Sequence, residues 1–196
     1  GNANGLKATL RRGIETVLQK GGFSLSQISA VFAGGMLTSN VGIREVPHLT
    51  APVGLSDLVS GIQSIQDSAI CDCPIYLVPG VKNVFSSLEP DAAVQMDMMR
   101  GEELETFALL SELQPGKSYL FILPGSHTKF VFVDSNGKIT GCATTMSGEI
   151  LAALTFHTIL ADTVDGFLSD PDAYDRGQVQ KGYDTAARFG LSRAAF

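Results

Sequence analysis

Cysteine is scarce in this chain of 196 residues, with only Cys71, Cys73 and Cys142. So small and odd a number argues against a disulfide framework. The C-x-C pair at 71–73 has no second pair to complete a metal site. All three are read as buried or incidental thiols, and no metal ligands are assigned. No apolar run reaches the roughly 18 residues needed to cross a membrane. The first residues lack the basic, apolar and small-residue order of a signal peptide, so the expected compartment is the cytoplasm. Lys/Arg-rich runs are missing and the formal net charge is -6, which weighs against general nucleic-acid binding without excluding a nucleotide. Neither a G-x-x-x-x-G-K-[ST] loop nor a G-x-S-x-G elbow is found, so P-loop and serine-hydrolase chemistry have no footing.

What is present is a globular composition, 44% hydrophobic and 17% charged, long enough for one large or two small domains. Apolar residues at Leu6, Leu10, Ile14, Val17 and Leu18 step by threes and fours and predict a helix closed by Gly21-Gly22. Ile28–Phe32 and Ile75–Val78 read as buried strands, Leu55–Ile65 as a helix, and 81–95 as loop. Another helix is predicted to start near Gly101, with Glu102, Glu103 and Glu105 favouring its N-terminal dipole. Pro115-Gly116 is the expected boundary between domains 1–115 and 116–196. Beyond it Tyr119–Leu123, Lys129–Val133 and Lys138–Thr145 read as three strands, the last two joined by the turn Asp134-Ser135-Asn136-Gly137. Ser147 is the expected N-cap of a helix through Ile150, Leu151, Leu154, Ile159 and Leu160. Asp170-Pro171-Asp172 reads as a break, and Val179–Phe189 as a further helix. The class is α/β, with an antiparallel meander in the second part.

Four clusters carry chemistry. In PGSHTK (124–129), Ser126, Thr128 and Lys129, with backbone N–H groups near Gly125, can surround an anion; a plain surface turn is the alternative. Arg100-Gly101-Glu102-Glu103 pairs a bidentate oxyanion binder with carboxylates, although two acids at a helix start also simply cap it. Thr144-Thr145-Met146-Ser147-Gly148-Glu149 reads either as a helix cap or as a helix N-terminus aimed at an anion. Gly34–Gly42 follows a strand with small and polar residues, where α/β folds place ligands, or is a glycine-rich connection. His48 and His157 have no partners at metal-ligand spacing and read as structural or solvent-facing.

In order, GGMLTSNVGI (34–43), LVPGV (77–81), DMMRGEE (97–103), LPGSHTKFV (123–131) and TTMSGE (144–149) resemble the 2-dehydro-3-deoxygalactonokinase family. Departures are mild: Ile43 and Phe130 stand for tryptophans, Ser126 and Ser147 for threonines. The resemblance implies the two-domain fold of the sugar kinase, actin-like ATPase (ribonuclease H-like) superfamily, with a cleft between domains. It implies ATP- and Mg²⁺-dependent phosphorylation of 2-dehydro-3-deoxy-D-galactonate at its 6-hydroxyl, in galactonate catabolism. By similarity Glu102 or Glu103 is the base, with Arg100 on the sugar acid's carboxylate or the phosphates. Met36, Ser39, Asn40 and Gly42 line the sugar acid, with Ser39 and Asn40 hydrogen-bonding it. Gly125, Ser126, His127, Thr128 and Lys129 form a second phosphate loop, with Ser147, Gly148 and Glu149 beside it. Such residue types suit phosphoryl transfer, which needs positioning and charge neutralisation more than covalent chemistry.

The superfamily's opening D-x-G-T/S-T/S-N phosphate loop is missing, as is its late glycine-rich adenosine segment. The expectation is therefore a central portion of a longer enzyme, or a truncated relative, inactive alone because Mg²⁺-ATP lacks half its cradle. Two other readings stand beside the kinase: a non-catalytic sugar-acid binding or regulatory module, and a related kinase for another sugar, against which the MRGEE segment weighs. Partners are a small sugar acid and ATP, with no nucleic acid and no membrane; a homodimer is left open.

Overall fold

The computed structural model describes residues 3–85, 90–164 and 174–195; the break expected at Asp170-Pro171-Asp172 lies outside them. Two compact units emerge: Gly1–Leu123 with Lys129–Thr144, and Pro124–Thr128 with Thr145–Phe196. The boundary expected at Pro115-Gly116 falls inside the first.

In the first unit, helix α1 (Ala3–Gly21) turns Leu10 and Ile14 onto a core of Ala33, Val46, Ile70, Cys71, Ile75 and Leu77. An ion pair from Lys7 to Asp67 at 2.8 Å and a bond from Arg11 to the Ser68 carbonyl at 2.9 Å tie it down. Strands β1 (Val31–Ala33), β3 (Gln63–Asp67) and β4 (Cys71–Leu77) form a sheet in the order β1-β4-β3, with β1 parallel and β3 antiparallel to β4. Pro74 survives in the central strand because β1 pairs only from Ile75 onward and β3 shifts register opposite it.

Two sequence expectations are corrected here. The strand predicted over Ile28–Phe32 begins at Val31, and Phe32 is 68% exposed, stacked on Tyr76 with centroids 5.2 Å apart. Strand alternation forces this, since Val31 and Ala33 take the inward face. The helix predicted over Leu55–Ile65 is α2 (Leu55–Ser60) only. Gly61 ends it, and Gln63–Asp67 alternates with period two and pairs with β4, so tertiary pairing overrides local propensity.

A second sheet joins β2 (Leu49–Thr50), β5 (Val81–Lys82) and β6 (Met98–Met99). The stretch 81–95, expected as loop, thus contains β5 and a 3-10 helix at Pro90–Gln95. The predicted meander is present as β7 (Tyr119–Leu123), β8 (Thr128–Val133) and β9 (Ile139–Thr145). Its turn closes as expected, with Asp134 Oδ1 accepting from the Asn136 and Lys138 amides at 2.9 Å and Gly137 at φ 73°. Backbone bonds between Val53 and Ile139, 2.8 and 2.9 Å, join the meander to the rest of the unit. A shared core of Val53, Leu58, Val78, Val81, Met99, Phe107, Val131 and Ile139 results. Helix α3 (Glu102–Ser111) contributes Phe107 to it. Asn83 acts as a side-chain clamp: it donates to the Gln95 and Cys142 carbonyls at 2.9 Å and accepts the Cys142 amide at 2.8 Å.

The second unit holds the 124–128 turn, α4 (Ser147–His157), α5 (Ala161–Val164), α6 (Arg176–Phe189) and α7 (Leu191–Ala195). Asp175 caps α6, accepting from the Gln178 amide at 2.9 Å. Ser147 does not cap α4: Met146 holds that position and Ser147 is the first helical residue. Ile159 and Leu160 lie beyond the end of α4 rather than in it.

Candidate active site

The first unit brings together the loop after β1 and the start of α3. That loop turns through a 3-10 helix at Gly35–Thr38. Gly35 has φ 63° and Gly101 φ 124°, both in the left-handed half of backbone space where a side chain is strained. A Cβ on Gly101 would lie 3.5 Å from Gly35 Cα, so the two backbones nearly touch. Arg100 sits at this contact. Its Nη1 donates to the Thr38 carbonyl at 2.7 Å and hydroxyl at 2.8 Å. Its Nη2 donates to the Val46 carbonyl at 2.9 Å and meets His48 Nδ1 at 3.0 Å. Thr38 is fully buried. Gly80, in the VPG stretch, makes room here: a Cβ would lie 2.4 Å from the Met99 carbonyl and 2.7 Å from His48 Cδ2.

The two glutamates part company. Glu103 is fully buried, with both carboxylate oxygens 2.8 Å from the Gly101 amide. Burial raises its pKa above the ordinary carboxylate value. Glu102 is half-buried and accepts the Arg100 amide at 3.1 Å. Just upstream lies a buried polar knot. Lys129 Nζ donates to the Met98 carbonyl at 2.8 Å and to Thr144 Oγ1, with Asp97 Oδ1 at 3.7 Å. Thr144 donates to that same Asp97 oxygen at 2.7 Å. Lys129 faces inward because it shares a strand face with buried Val131 and Val133.

Ser39 folds back on its own loop, donating to the Met36 carbonyl at 2.8 Å and accepting the Val41 amide at 3.3 Å. Met36 and Asn40 are exposed. Gly42 is demanded by packing, since a Cβ would lie 2.2 Å from the Leu37 carbonyl.

In the second unit the 124–128 turn packs on the start of α4. A Cβ on Gly148 would lie 2.2 Å from the Gly125 carbonyl. The Glu149 amide donates to the Ser126 carbonyl at 3.0 Å, and Ser147 donates to the Thr128 hydroxyl at 2.8 Å. His127 Nε2 and the Glu149 carboxylate are 3.0 Å apart, while His127 Nδ1 and the Ser126 hydroxyl are 3.3 Å apart. Ser126, His127 and Glu149 are exposed, so hydroxyls, an imidazole and a carboxylate share one accessible corner.

The sequence model of 2-keto-3-deoxy-galactonokinase matches residues 2–196. The chain belongs to that family. Its relatives include a Rhizobium meliloti protein named a probable 2-dehydro-3-deoxygalactonokinase, 27% identical over 168 residues, covering 83% of this chain and 50% of the relative. The Escherichia coli 2-dehydro-3-deoxygalactonokinase is 29% identical over 157 residues, 80% of this chain and 48% of the relative. The chain spans about half the length of the curated relatives it matches. A crystal structure from Sinorhizobium meliloti, provisionally assigned as a 2-dehydro-3-deoxygalactonokinase, overlays with a TM-score of 0.59 at 22% identity, covering 92% of this chain and 62% of the other. At that identity the likeness speaks for the mixed α/β fold alone.

Within this 2-keto-3-deoxy-galactonokinase family member, the first unit gathers Met36, Ser39, Asn40, Gly42, Arg100, Glu102 and Glu103. The second gathers Gly125, Ser126, His127, Thr128, Ser147, Gly148 and Glu149. Lys129, expected with the phosphate turn, is engaged in the first unit instead. Thr38 and Thr144 stood inside clusters singled out in the sequence but were given no role of their own, and His48, Gly80 and Asp97 were missed as site builders. Gly80 and Asp97 fall inside the motifs that signalled the family, so a signal existed; His48 is 52 residues from Arg100 and had none. No helix among the described residues is long and apolar enough to cross a membrane.

Proposed function

We propose that this chain is the catalytic portion of a sugar-acid kinase of the actin-like ATPase superfamily. It would transfer the γ-phosphoryl group of ATP to the 6-hydroxyl of 2-dehydro-3-deoxy-D-galactonate in galactonate catabolism. The loop after β1 and the start of α3 carry the sugar-acid side, and the 124–128 turn with the start of α4 the nucleotide side. One observation carries the reading most: the GGMLTSN loop and the RGEE helix start, 62 residues apart in sequence, are joined by the Arg100–Thr38 bonds.

Glu102 is the better candidate for the base, because its carboxylate is half-buried while that of Glu103 is sealed from solvent. Ser39 and Asn40 are assigned to the sugar acid. The exposed hydroxyl of Ser126 and the half-buried one of Thr128, with the α4 N-terminus, are assigned to the ATP phosphates. Among the described residues no group of three or more His, Cys, Asp or Glu side chains could hold a metal. Mg²⁺ would therefore enter on the phosphates of ATP, with Glu149 the carboxylate at that turn; its role is to neutralise phosphate charge.

The test combines a phosphoryl-transfer assay with calorimetric titrations using the sugar acid and a non-hydrolysable ATP analogue. Turnover that falls by about 10²–10⁴ in Glu102→Gln, with sugar-acid binding retained, supports the reading. Sugar-acid binding without nucleotide binding or turnover favours a binding module. Binding of neither ligand overturns both.

A further inference from the structure

His48 lies on the connection from β1 to β2, and its ring meets the only cation of the RGEE segment. Nδ1 is 3.0 Å from Arg100 Nη2. A guanidinium can only donate, so Nδ1 must accept and the ring is the neutral tautomer with its proton on Nε2. The remaining Nη hydrogens go to the Thr38 carbonyl, the Thr38 hydroxyl and the Val46 carbonyl. All four acceptors come from the single stretch 38–48. They occupy every Nη hydrogen of Arg100, which makes the guanidinium a clasp on that stretch rather than a free oxyanion binder.

We propose that His48 is a positioning residue: as a neutral acceptor it completes the clasp that holds the loop bearing Ser39 and Asn40 against Arg100-Gly101-Glu102, and protonating its ring opens the clasp and weakens sugar-acid binding. The ligand in this proposal rests on the function proposed above; the clasp itself does not.

The charges around the ring set the direction. Burial lowers the His48 pKa below 6.5 first, Arg100 and Lys82 lower it further, and Glu45 of the same loop opposes them. A depressed basic group favours the folded arrangement above its unfolded pKa and loses that contribution as pH falls through the folded one. Below that point an Nδ1–H faces a guanidinium N–H, and two cations stand at hydrogen-bond distance.

Two arms test this on the full chain, with His48→Asn, whose amide oxygen can stand in for Nδ1 without titrating, and His48→Leu, which has no acceptor. In the first arm, imidazole nitrogen NMR should show the Nε2–H tautomer at neutral pH. Amide exchange over 35–48, corrected for intrinsic rates, should accelerate on the acid side of 6.5 in the wild type and not in His48→Asn. In the second, affinity for 2-dehydro-3-deoxy-D-galactonate should fall about tenfold on acidification in the wild type and stay flat in His48→Asn. His48→Leu should be weak at every pH. An Nδ1–H tautomer, or equal pH profiles for wild type and His48→Asn, overturns the proposal. If no variant binds the sugar acid, the functional reading fails, while tautomer and exchange still decide whether the clasp exists.

Discussion

Arg100 grips Thr38 twice, through the backbone carbonyl at 2.7 Å and the side-chain hydroxyl at 2.8 Å. That double contact joins a loop in the first quarter of the chain to the helix start that carries both glutamates. A lysine ammonium cannot reproduce the planar fork, so Arg100→Lys should cost about 2 kcal/mol by leaving part-buried acceptors unpaired. The readout is the urea midpoint with the slope unchanged. A midpoint equal to that of the wild type would show the clasp to be dispensable.

Gly80 and Gly13 should respond in opposite senses to alanine. At Gly80 the new Cβ would sit 2.4 Å from a backbone carbonyl and press on His48, so unfolding should come earlier by about 2 kcal/mol or more. At Gly13, inside α1, a Cβ meets nothing within 4 Å. There Gly→Ala should stabilise by roughly 0.5–1 kcal/mol through helix propensity. Thermal melts of the two variants side by side decide the matter.

Glu103 predicts a pH signature. Its raised pKa means the folded protein favours the protonated acid, so its contribution is full below the ordinary 4.5 and is lost as pH rises through the elevated value. Glu103→Gln keeps an acceptor for the Gly101 amide and removes that titration. Its stability should be flat across the window where the wild type declines. Glu103→Ala should be destabilised throughout by about 1–3 kcal/mol, because a buried donor loses its partner. Denaturant titrations at a series of pH values measure both.

The Lys129–Asp97 pair should be asymmetric. Removing the acid by Asp97→Ala leaves a buried ammonium with only neutral partners, an expected cost of about 3–5 kcal/mol. Lys129→Met removes the charge but keeps the bulk on the inward face of β8 and should cost less. Equal losses would mean that the ammonium left without its carboxylate costs no more than removing the ammonium itself, and the asymmetry would be absent. Nucleotide-analogue affinity unchanged in Lys129→Met would confirm that the ammonium serves the first unit rather than the phosphates.

Periodicity was enough to find α1, α3 and the meander, because each has a long apolar pattern and a clear stop such as Gly21-Gly22 or Asn136-Gly137. It failed at Leu55–Ile65, where five residues of alternating burial continue a helical stretch and only pairing with β4 chooses the strand. It also misjudged Phe32, since an apolar residue in a strand of three can lie on either face.

The order of the motifs, and with it the family, was determined by the sequence alone, because glycines that admit close backbone contact and polar residues of one kind recur at set places. The sorting of side chains within those motifs belonged to the tertiary structure. Glu102 and Glu103 are neighbours in sequence, yet helix geometry turns one outward and the other beneath the Gly101 amide. Lys129 follows the phosphate-turn residues, yet strand alternation buries it. His48 and Arg100 meet only because β2, β5 and β6 pair and bring their flanking segments together. Which chemical groups are present is a property of the chain; which of them face solvent, and which are spent on one another, depends on packing between segments far apart along it.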